Sequence, residues 1–131
     1  MPGQKAKQDI IYPELSYKII GIAFKIFNEY GFGMSEKFYQ RVFTKEFENE
    51  KLGYEREKLI KLSHEGQTVV SYFLDFVVEN KIIVELKIKP RFGYIHIRQV
   101  LAYLKSAGYK LAIIIYFTRD GIKYRRIVNI K

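Results

Sequence analysis

The spacing of apolar residues changes along the chain, and each stretch of constant spacing predicts one element of secondary structure. Apolar residues recur every three or four positions in three stretches, which is typical of helices that bury one face. Alternating or continuous apolar runs, separated by turns rich in Gly, Asn or Asp, indicate strands. The helices predicted in this way cover 14–30, 35–50 and 94–107, and the strands cover 54–64, 70–78, 82–88, 111–117 and 122–130.

These elements follow one another in the order ααβββαββ, without an internal repeat or a linker. Such an order favours an α/β (α+β) fold in which helices flank a mixed central sheet. A polar and basic stretch that contains Pro2 and Gly3 comes first, and we interpret it as a flexible N-terminal tail. We therefore expect a tail at 1–12 and a single domain at 13–131.

The stretch DFVVENKIIVELK, residues 75–87, predicts two strands joined by a tight turn. Outside the turn it is almost wholly apolar, except at Asp75, Glu85 and Lys87. Side chains alternate between the two faces of a strand, so one face of each strand belongs in the core. The core faces predicted are Val70, Tyr72, Leu74, Phe76 and Val78 on the first strand, and Ile82, Val84, Leu86 and Ile88 on the second.

The register of this strand pair brings charged residues together. The apolar faces coincide when facing residue numbers of the antiparallel pair have an even sum, as in a pairing centred on Asn80. This pairing sets Asp75 opposite Glu85 and leaves Lys87 on the same face. Two facing carboxylates repel, and a divalent cation such as Mg2+ or Mn2+ relieves that repulsion. Lys87 then lies where it can steady an attacking water or a phosphate.

The pattern D-x9-E-x-K also has a plainer interpretation, because Glu-x-Lys on an exposed strand face is usually solvated charge. The apolar residues on both sides of the pattern, together with the facing Asp75, favour a functional site instead. The interpretation as a site therefore depends on the whole strand pair and not on the motif alone.

Composition narrows the classes of function. The chain has 131 residues, 48% of them hydrophobic and 16% aromatic, which predicts a folded domain with a sizeable core. Its net charge of +9 favours a polyanionic partner such as nucleic acid. Because the chain has no cysteine, disulfides, thiolate zinc sites and cysteine nucleophiles are excluded, and two histidines are too few for a histidine-rich metal site.

The beginning of the chain, MPGQKAKQDI, lacks the apolar run of a signal peptide. No stretch of the sequence is long and apolar enough to predict a membrane span. We therefore expect a cytoplasmic protein that does not contact a membrane.

The order of elements, with D-x9-E-x-K on the second and third strands, resembles the PD-(D/E)XK nuclease superfamily and its restriction-endonuclease-like core. Residues 33–39, GMSEKFY, are similar to the G-x-x-E-x-x-Y signature of the GxxExxY protein family, a small-domain branch of that superfamily. Gln99-x-x-x-Tyr103 is similar to the Q-x-x-x-Y element of RecB-type nucleases. The similarity runs from about 11 to 128 and also includes Tyr54–Glu57, Asp75–Val78, Glu85–Lys87, His96 and Tyr103–Lys105.

The resemblance implies a role for each matching residue. Asp75 and Glu85 would bind the metal, with the Leu86 carbonyl and Glu36 as further ligands. Lys87 would orient or activate the water. The catalytic residues implied in this way are Lys87, Glu85, Asp75, Glu36 and Gln99, and the residues implied or expected to contact nucleic acid are Tyr103, His96, Lys89, Arg91 and Tyr39.

Some of these residues have alternative roles. Glu36 in a first helical turn is also explained by a favourable interaction with the helix dipole. Gln99 and Tyr103 would either steady the site or touch the nucleic acid backbone, and His96 would do either or cap its helix.

The chain departs from the family at Phe73, where an arginine is expected two residues before the aspartate. An apolar ring then replaces a phosphate contact, which affects the grip on substrate and not the binding of metal. The loop at 88–93 is unusually basic, and we expect Lys89 and Arg91 to compensate.

Three functions from different classes follow. The first is a Mg2+-dependent (or Mn2+-dependent) phosphodiesterase, a nuclease, with DNA expected before RNA as its substrate. The second is a catalytically inactive module that binds nucleic acid or another partner on the same fold, and a third is a structural domain whose charged trio is solvated. Most of the eleven Tyr and ten Phe belong in the core, and base stacking or a homodimer contact stays open for the exposed ones.

Overall fold

The computed structural model describes residues 11–129, which form three helices and five strands. The helices are α1 (Pro13–Tyr30), α2 (Glu36–Asn49) and α3 (Ile97–Ala107), and the strands are β1 (Tyr54–His64), β2 (Gln67–Val78), β3 (Ile82–Ile88), β4 (Leu111–Thr118) and β5 (Gly121–Val128). The predicted order ααβββαββ is confirmed. Of the tail predicted at 1–12, residues 1–10 lie outside the part of the chain that the structure describes. No helix within 11–129 has the length and apolar character needed to cross a membrane.

Local sequence sets where the first two helices begin and end. α1 begins at Pro13, whose fixed φ suits a first helical turn, and ends where Gly31 takes a positive φ of 69°. Ser35 caps α2 as predicted, since its hydroxyl accepts a hydrogen bond from the Phe38 N–H at 3.1 Å. The short connection between these ends places α1 and α2 together on one face of the sheet.

The third helix begins three residues later than predicted, at Ile97 instead of Tyr94. The Ile97 N–H donates to the Tyr94 carbonyl at 3.1 Å, which makes a turn before the helix. Pro90 and Gly93 favour an irregular backbone in the preceding residues. Tyr94 and Ile95 therefore belong to an exposed connection, residues 89–96, which we call the β3–α3 loop.

The five strands form one sheet in the order β1-β2-β3-β4-β5. β3 and β4 are parallel and are connected through α3, whereas the other neighbouring strands are antiparallel. α1 and α2 cover one face of the sheet, and α3 covers the other. Because β4 is covered on both faces, all eight of its residues are buried, which explains its continuous apolar run. This is the mixed sheet flanked by helices that the sequence predicts.

The alternation of side chains holds along β3 but changes face along β2. The residues predicted to share one face divide into Phe76 and Val78, which pack towards α1 and α2, and Tyr72 and Leu74, which pack towards α3. The single core face predicted for this strand is therefore wrong. The change of face lies where β1 and β2 lose one pair. Arg56 pairs with Phe76 and Lys58 pairs with Leu74, but Glu57 does not pair with Asp75 between them, and Glu57 has a positive φ of 55°. The register is the same before and after this break, so no residue is inserted, and the side chains of β2 change face at the break.

β2 and β3 stay together for three residue pairs and then diverge. The last of these pairs is Phe76–Val84, while β3 continues to pair with β4 along its whole length. Within the described residues, β2 before Asp75 pairs with β1 alone. We call this two-stranded segment, residues 58–74, the arm, and the gap between β2 and β3 beside it the fork.

Candidate metal-binding active site

Asp75 and Glu85 meet in the fork, where each binds the backbone of the opposite strand. The Asp75 N–H donates to Glu85 Oε2 at 2.7 Å, and the Leu86 N–H donates to Asp75 Oδ2 at 2.7 Å. These two hydrogen bonds replace the ladder pair that the register predicts between Asp75 and Glu85. Because the donors lie on neighbouring strands, both carboxylates are held in the same gap.

Glu85 is completely buried and is held from the side of α3. The Tyr72 hydroxyl donates to Glu85 Oε1 at 2.8 Å. The Tyr72 ring stacks on the Tyr103 ring of α3, with centroids 4.2 Å apart and planes 18° apart. Tyr103 is only 2% exposed and supports Glu85 through Tyr72, which favours the first of its two expected roles, to steady the site.

Asp75 is held from the side of α2 by Gln40, a residue that the sequence analysis did not include in the site. Gln40 Nε2 donates to Asp75 Oδ1 at 3.0 Å, and Gln40 Oε1 accepts from Arg56 Nη2 at 3.3 Å. Gln40 thereby links the Asp75 carboxylate to a cation on β1. Its position four residues after Glu36, on the same face of the helix, was the signal that could have identified it.

Burial raises the pKa of both carboxyl groups. For Asp75, loss of hydration is the main cause, and the hydrogen bond from the Leu86 N–H opposes it. Burial is also the main cause for the raised pKa of Glu85, and the charge of Asp75 adds to it. The two groups therefore resist being ionised together unless a positive charge lies between them.

Lys87 supplies positive charge beside this pair from the same strand as Glu85. Its charge lowers the pKa of Asp75 and of Glu85, in opposition to burial. It also adds to the effect of burial in lowering the pKa of His96, the residue before α3. Lys87 is thus within electrostatic reach of both carboxylates and of the β3–α3 loop.

The carboxylate pair fits a hard divalent cation. Mg2+ takes oxygen ligands and usually one or two protein carboxylates, with water or phosphate completing its shell. Each oxygen of the pair accepts a hydrogen bond from the protein and has a second lone pair for a cation. Glu36 is exposed in the first turn of α2. Within residues 11–129, no group of three His, Cys, Asp or Glu side chains is close enough to hold a metal, so Glu36 stays outside the pair.

The other residues expected at a nucleic acid interface differ in exposure. Lys89, Arg91 and His96 line a cavity of about 620 Å³ beside the β3–α3 loop. Tyr39 is fully buried, and its hydroxyl donates to the Gly31 carbonyl, which fastens the turn between α1 and α2. The burial of this side chain does not favour the contact with nucleic acid expected of Tyr39, and that contact stays a prediction. Gln99 is exposed on α3, one turn before Tyr103.

The fold and the carboxylate pair in the fork define a class of protein. The family model of the PD-(D/E)XK nuclease superfamily matches residues 13–127, and the chain belongs to that superfamily. Among solved structures, it is similar to the crystal structure of SSO0001, with a TM-score of 0.55 and 19% sequence identity. The similarity covers 71% of this chain and 49% of SSO0001, so the chain spans about half the length of that protein and the likeness is one of fold. A search of curated protein sequences gave no match.

Proposed function

We propose that this chain is a metal-dependent nuclease that hydrolyses phosphodiester bonds of DNA with the D-x9-E-x-K residues at the fork. The observation that carries the proposal is the pair of buried carboxylates, Asp75 and Glu85, with raised pKa values beside the Lys87 ammonium. Groups whose pKa is shifted by burial and by a specific charged neighbour are typical of catalytic sites. Membership of a nuclease superfamily supports the same function.

Asp75 and Glu85 would hold Mg2+ or Mn2+ through their carboxylate oxygens, with the Leu86 carbonyl as a further ligand. A divalent cation bound there supplies charge neutralisation at the phosphate and lowers the pKa of a water molecule. Glu36, exposed at the beginning of α2, would act as an outer ligand that holds water. The two buried carboxylates would thereby gain the counter-charge that their burial requires.

The remaining residues would position groups around this centre. Lys87 would orient the attacking water and stabilise the negative charge that develops on the phosphate. Gln40 and Tyr72 are positioning residues, because Gln40 fixes Asp75 and Tyr72 fixes Glu85. Gln99 would steady the site or contact the substrate backbone from α3.

Within the superfamily, we infer that the chain belongs to the GxxExxY branch, on the basis of residues 33–39. Two positions of this signature have a structural reason in the fold. Gly33 has a φ of 121°, which other residues rarely adopt, and the Tyr39 hydroxyl closes the turn at Gly31. Glu36 is exposed, so its place in the signature is explained either by the site or by the helix dipole.

One observation favours a second function, a catalytically inactive module that binds nucleic acid. Every oxygen of the Asp75–Glu85 pair accepts a hydrogen bond from the protein, and Glu36 stays outside the pair. Such hydrogen bonds satisfy buried carboxyl oxygens without a metal. A module of this kind would keep the basic surface and would not depend on a metal.

A nuclease assay separates the two functions. Single- and double-stranded DNA and RNA are incubated with the wild type in Mg2+, Mn2+ or EDTA. We expect cleavage that depends on the metal and falls by about 10³-fold or more in Asp75→Asn and Lys87→Ala, because each removes several kcal/mol of transition-state stabilisation. Asp120→Asn is the matched control, since it neutralises an exposed aspartate in the β4–β5 turn.

Two outcomes decide against the nuclease. Cleavage that persists in EDTA, or that Asp75→Asn retains, contradicts a metal site at the fork. Binding of nucleic acid without cleavage under every condition favours the inactive module. Lys87→Ala separates metal binding from catalysis. Both carboxylates remain in this variant, so metal binding should be kept while turnover is lost.

A further inference from the structure

The positive charge of the chain is concentrated in one part of the sequence. Residues 1–85 contain twelve basic and thirteen acidic side chains, whereas residues 86–131 contain eleven basic side chains and one acidic side chain, Asp120. The described part of the second segment forms the end of β3, the β3–α3 loop, α3, β4 and β5. Since β4 is buried, the exposed cations belong to the loop that follows Lys87, to α3 and the turn after it, and to β5 with the turn before it.

Two strongly exposed apolar side chains lie within this basic surface. Tyr94 is 66% exposed and Ile95 is 81% exposed, and both belong to the β3–α3 loop. Neither residue packs into the two hydrophobic clusters of the core. A partner that suits this surface therefore offers negative charge and apolar faces together.

The Tyr94 ring is held in place by its neighbours. The Phe92 ring meets it edge-on, with centroids 4.9 Å apart. Arg125 of β5 lies 4.5 Å from the centroid of Phe92 and 5.4 Å from that of Tyr94, and its Nη2 donates to the Tyr94 hydroxyl at 3.1 Å. The loop itself is fixed to β4, because the Tyr116 hydroxyl donates to the Gly93 carbonyl at 2.8 Å. A ring that is fixed in advance loses little entropy when another planar group stacks on it.

We propose that the surface formed by Phe92, Tyr94, Ile95 and Arg125, the platform, stacks an unpaired base, and that the nucleic acid bound beside the fork is single-stranded. Single strands bind where aromatic rings lie within a positively charged groove, because each base offers a flat face and each nucleotide a phosphate. In a duplex, neighbouring bases cover those faces, and contacts to phosphates alone would leave Tyr94 and Ile95 in water. The proposal rests on the proposed function for the chemistry at the fork, but binding to the platform does not require cleavage.

The cavity beside the loop provides the phosphate contacts that this substrate needs. Lys89 and Arg91 line it together with His96, which lies within electrostatic reach of Lys87. The sequence also connects the two places directly, since the β3–α3 loop begins two residues after Lys87. A strand whose base lies on the platform would therefore have phosphates near the fork.

A second exposed ring lies on the strand that carries Asp75. Phe73, two residues before Asp75, is 61% exposed and faces Leu59 across the arm. An arginine at this position would bind a phosphate, whereas a phenylalanine offers a flat apolar face. The departure at Phe73 and the exposure of Tyr94 thus favour the same substrate, a strand with unpaired bases.

The test measures binding without cleavage, by fluorescence anisotropy in EDTA. The probes are a labelled single-stranded DNA, the matching duplex, and an abasic strand with the same number of phosphates. We expect the wild type to bind the single strand most tightly, and Tyr94→Ala to weaken that binding about 5- to 100-fold without affecting the other two probes. Tyr94→Phe keeps the ring and should restore binding. Tyr17→Ala is the matched control, because it removes a tyrosine of α1 that is even more exposed than Tyr94.

The proposal is overturned if the duplex binds as tightly as the single strand, or if Tyr94→Ala weakens the abasic strand equally. A change of oligomeric state in Tyr94→Ala, measured by sedimentation velocity, would also overturn it, since the platform would then contact a second copy. If single-strand binding depends on Tyr94 but no metal supports cleavage, the proposed base-stacking platform is supported and the proposed nuclease activity is not. If the protein cleaves a duplex in a metal-dependent way and Tyr94→Ala does not affect that cleavage, the proposed nuclease activity is supported and the proposed platform is contradicted.

Discussion

The two ends of β2 differ in pairing and burial although they belong to one continuous strand. The inner end, Phe76–Val78, pairs with both β1 and β3, and its three residues are at most 1% exposed. The outer end, from Gln67 to Phe73, pairs with β1 alone within the described residues and is mostly exposed. Asp75 lies at the boundary between the core part of the strand and the arm.

This difference in pairing and burial explains why the boundary within β2 suits a functional carboxylate such as Asp75. Residues inside the sheet are fixed, but strand pairing covers their polar groups. Most residues of the arm are accessible, but fewer neighbours constrain them. At the fork, Asp75 and Glu85 are still held by backbone N–H groups, while the ladder no longer closes the gap between β2 and β3. The end of a ladder therefore combines a fixed geometry with carboxylates that no ladder pair covers.

The largest difference between the two ends is expected in stability. Phe76→Ala removes a buried ring that packs on Phe43 and Phe47, and it should lower the free energy of unfolding by about 3–5 kcal/mol. Phe73→Ala removes an exposed ring and should change that free energy by about 0.5 kcal/mol or less. Urea unfolding followed by circular dichroism measures both values. Equal losses would show that the arm is packed as tightly as the core.

The carboxyl groups of Asp75 and Glu85, which lie at this boundary, should make the stability of the metal-free protein depend on pH. Burial raises the pKa of Asp75 to about 6, and burial together with the Asp75 charge raises the pKa of Glu85 to about 7. Between about pH 4 and pH 7 the folded state holds more protons than the unfolded chain, so stability falls as pH rises through this window. At about 1.4 kcal/mol per pKa unit, a shift of rather more than two units corresponds to a loss of the order of 3 kcal/mol for each carboxyl group.

Asp75→Asn is the variant that isolates this effect. It removes one of the two buried charges, so it should be more stable than the wild type at pH 7 and should lose less stability between pH 4 and pH 7. Chemical denaturation in EDTA across this range measures the difference. If the wild type instead gains stability relative to Asp75→Asn as pH rises, the direction of the shifts is contradicted.

The metal should have a smaller effect on stability. At ten times its Kd, Mg2+ or Mn2+ should stabilise the wild type by about 1.4 kcal/mol through mass action. Asp75→Asn should gain less because one ligand is neutral, whereas Lys87→Ala should gain as much as the wild type. Thermal melts at pH 7 with and without metal measure these gains. A wild type that gains nothing from either metal would favour the inactive module.

The smallest expected effect concerns the outer end of β2. Phe73→Arg places a cation on the exposed face of the arm, where it should add one phosphate contact. The log-log slope of nucleic acid affinity against salt should then steepen by about one, since about one more counterion is released. Binding titrations over a range of salt concentrations measure the slope. An unchanged slope would mean that this face of the arm does not meet the phosphates.

The sequence predicts the order of elements well because hydrophobic spacing follows burial along the chain. β1 and the cap residue Ser35 occur at the predicted positions. The change of face next to Asp75 could not be predicted, because Glu57 gives no local signal for a positive φ, whereas Gly or Asn would have indicated one.

The candidate site is predictable where it depends on two neighbouring strands and not where it depends on helices. The proximity of Asp75 and Glu85 follows from the turn that joins their strands. Gln40 reaches Asp75 from α2, and Tyr103 supports Glu85 from α3 through Tyr72. Those contacts depend on how the helices pack on the sheet, and the spacing of apolar residues does not specify which polar side chain meets which.

The unequal distribution of charge between residues 1–85 and 86–131 has a consequence for the rate of association. Cations gathered in one group of elements give the molecule an electric dipole, and the field of a polyanion exerts a torque on a dipole. Orientation is what limits most protein association rates to about 10⁵–10⁷ M⁻¹s⁻¹. At low ionic strength we therefore expect the protein to rotate during its approach, so that the fork faces the nucleic acid before contact. This guidance should weaken as salt shortens the screening distance to about 8 Å, well within the dimensions of the protein.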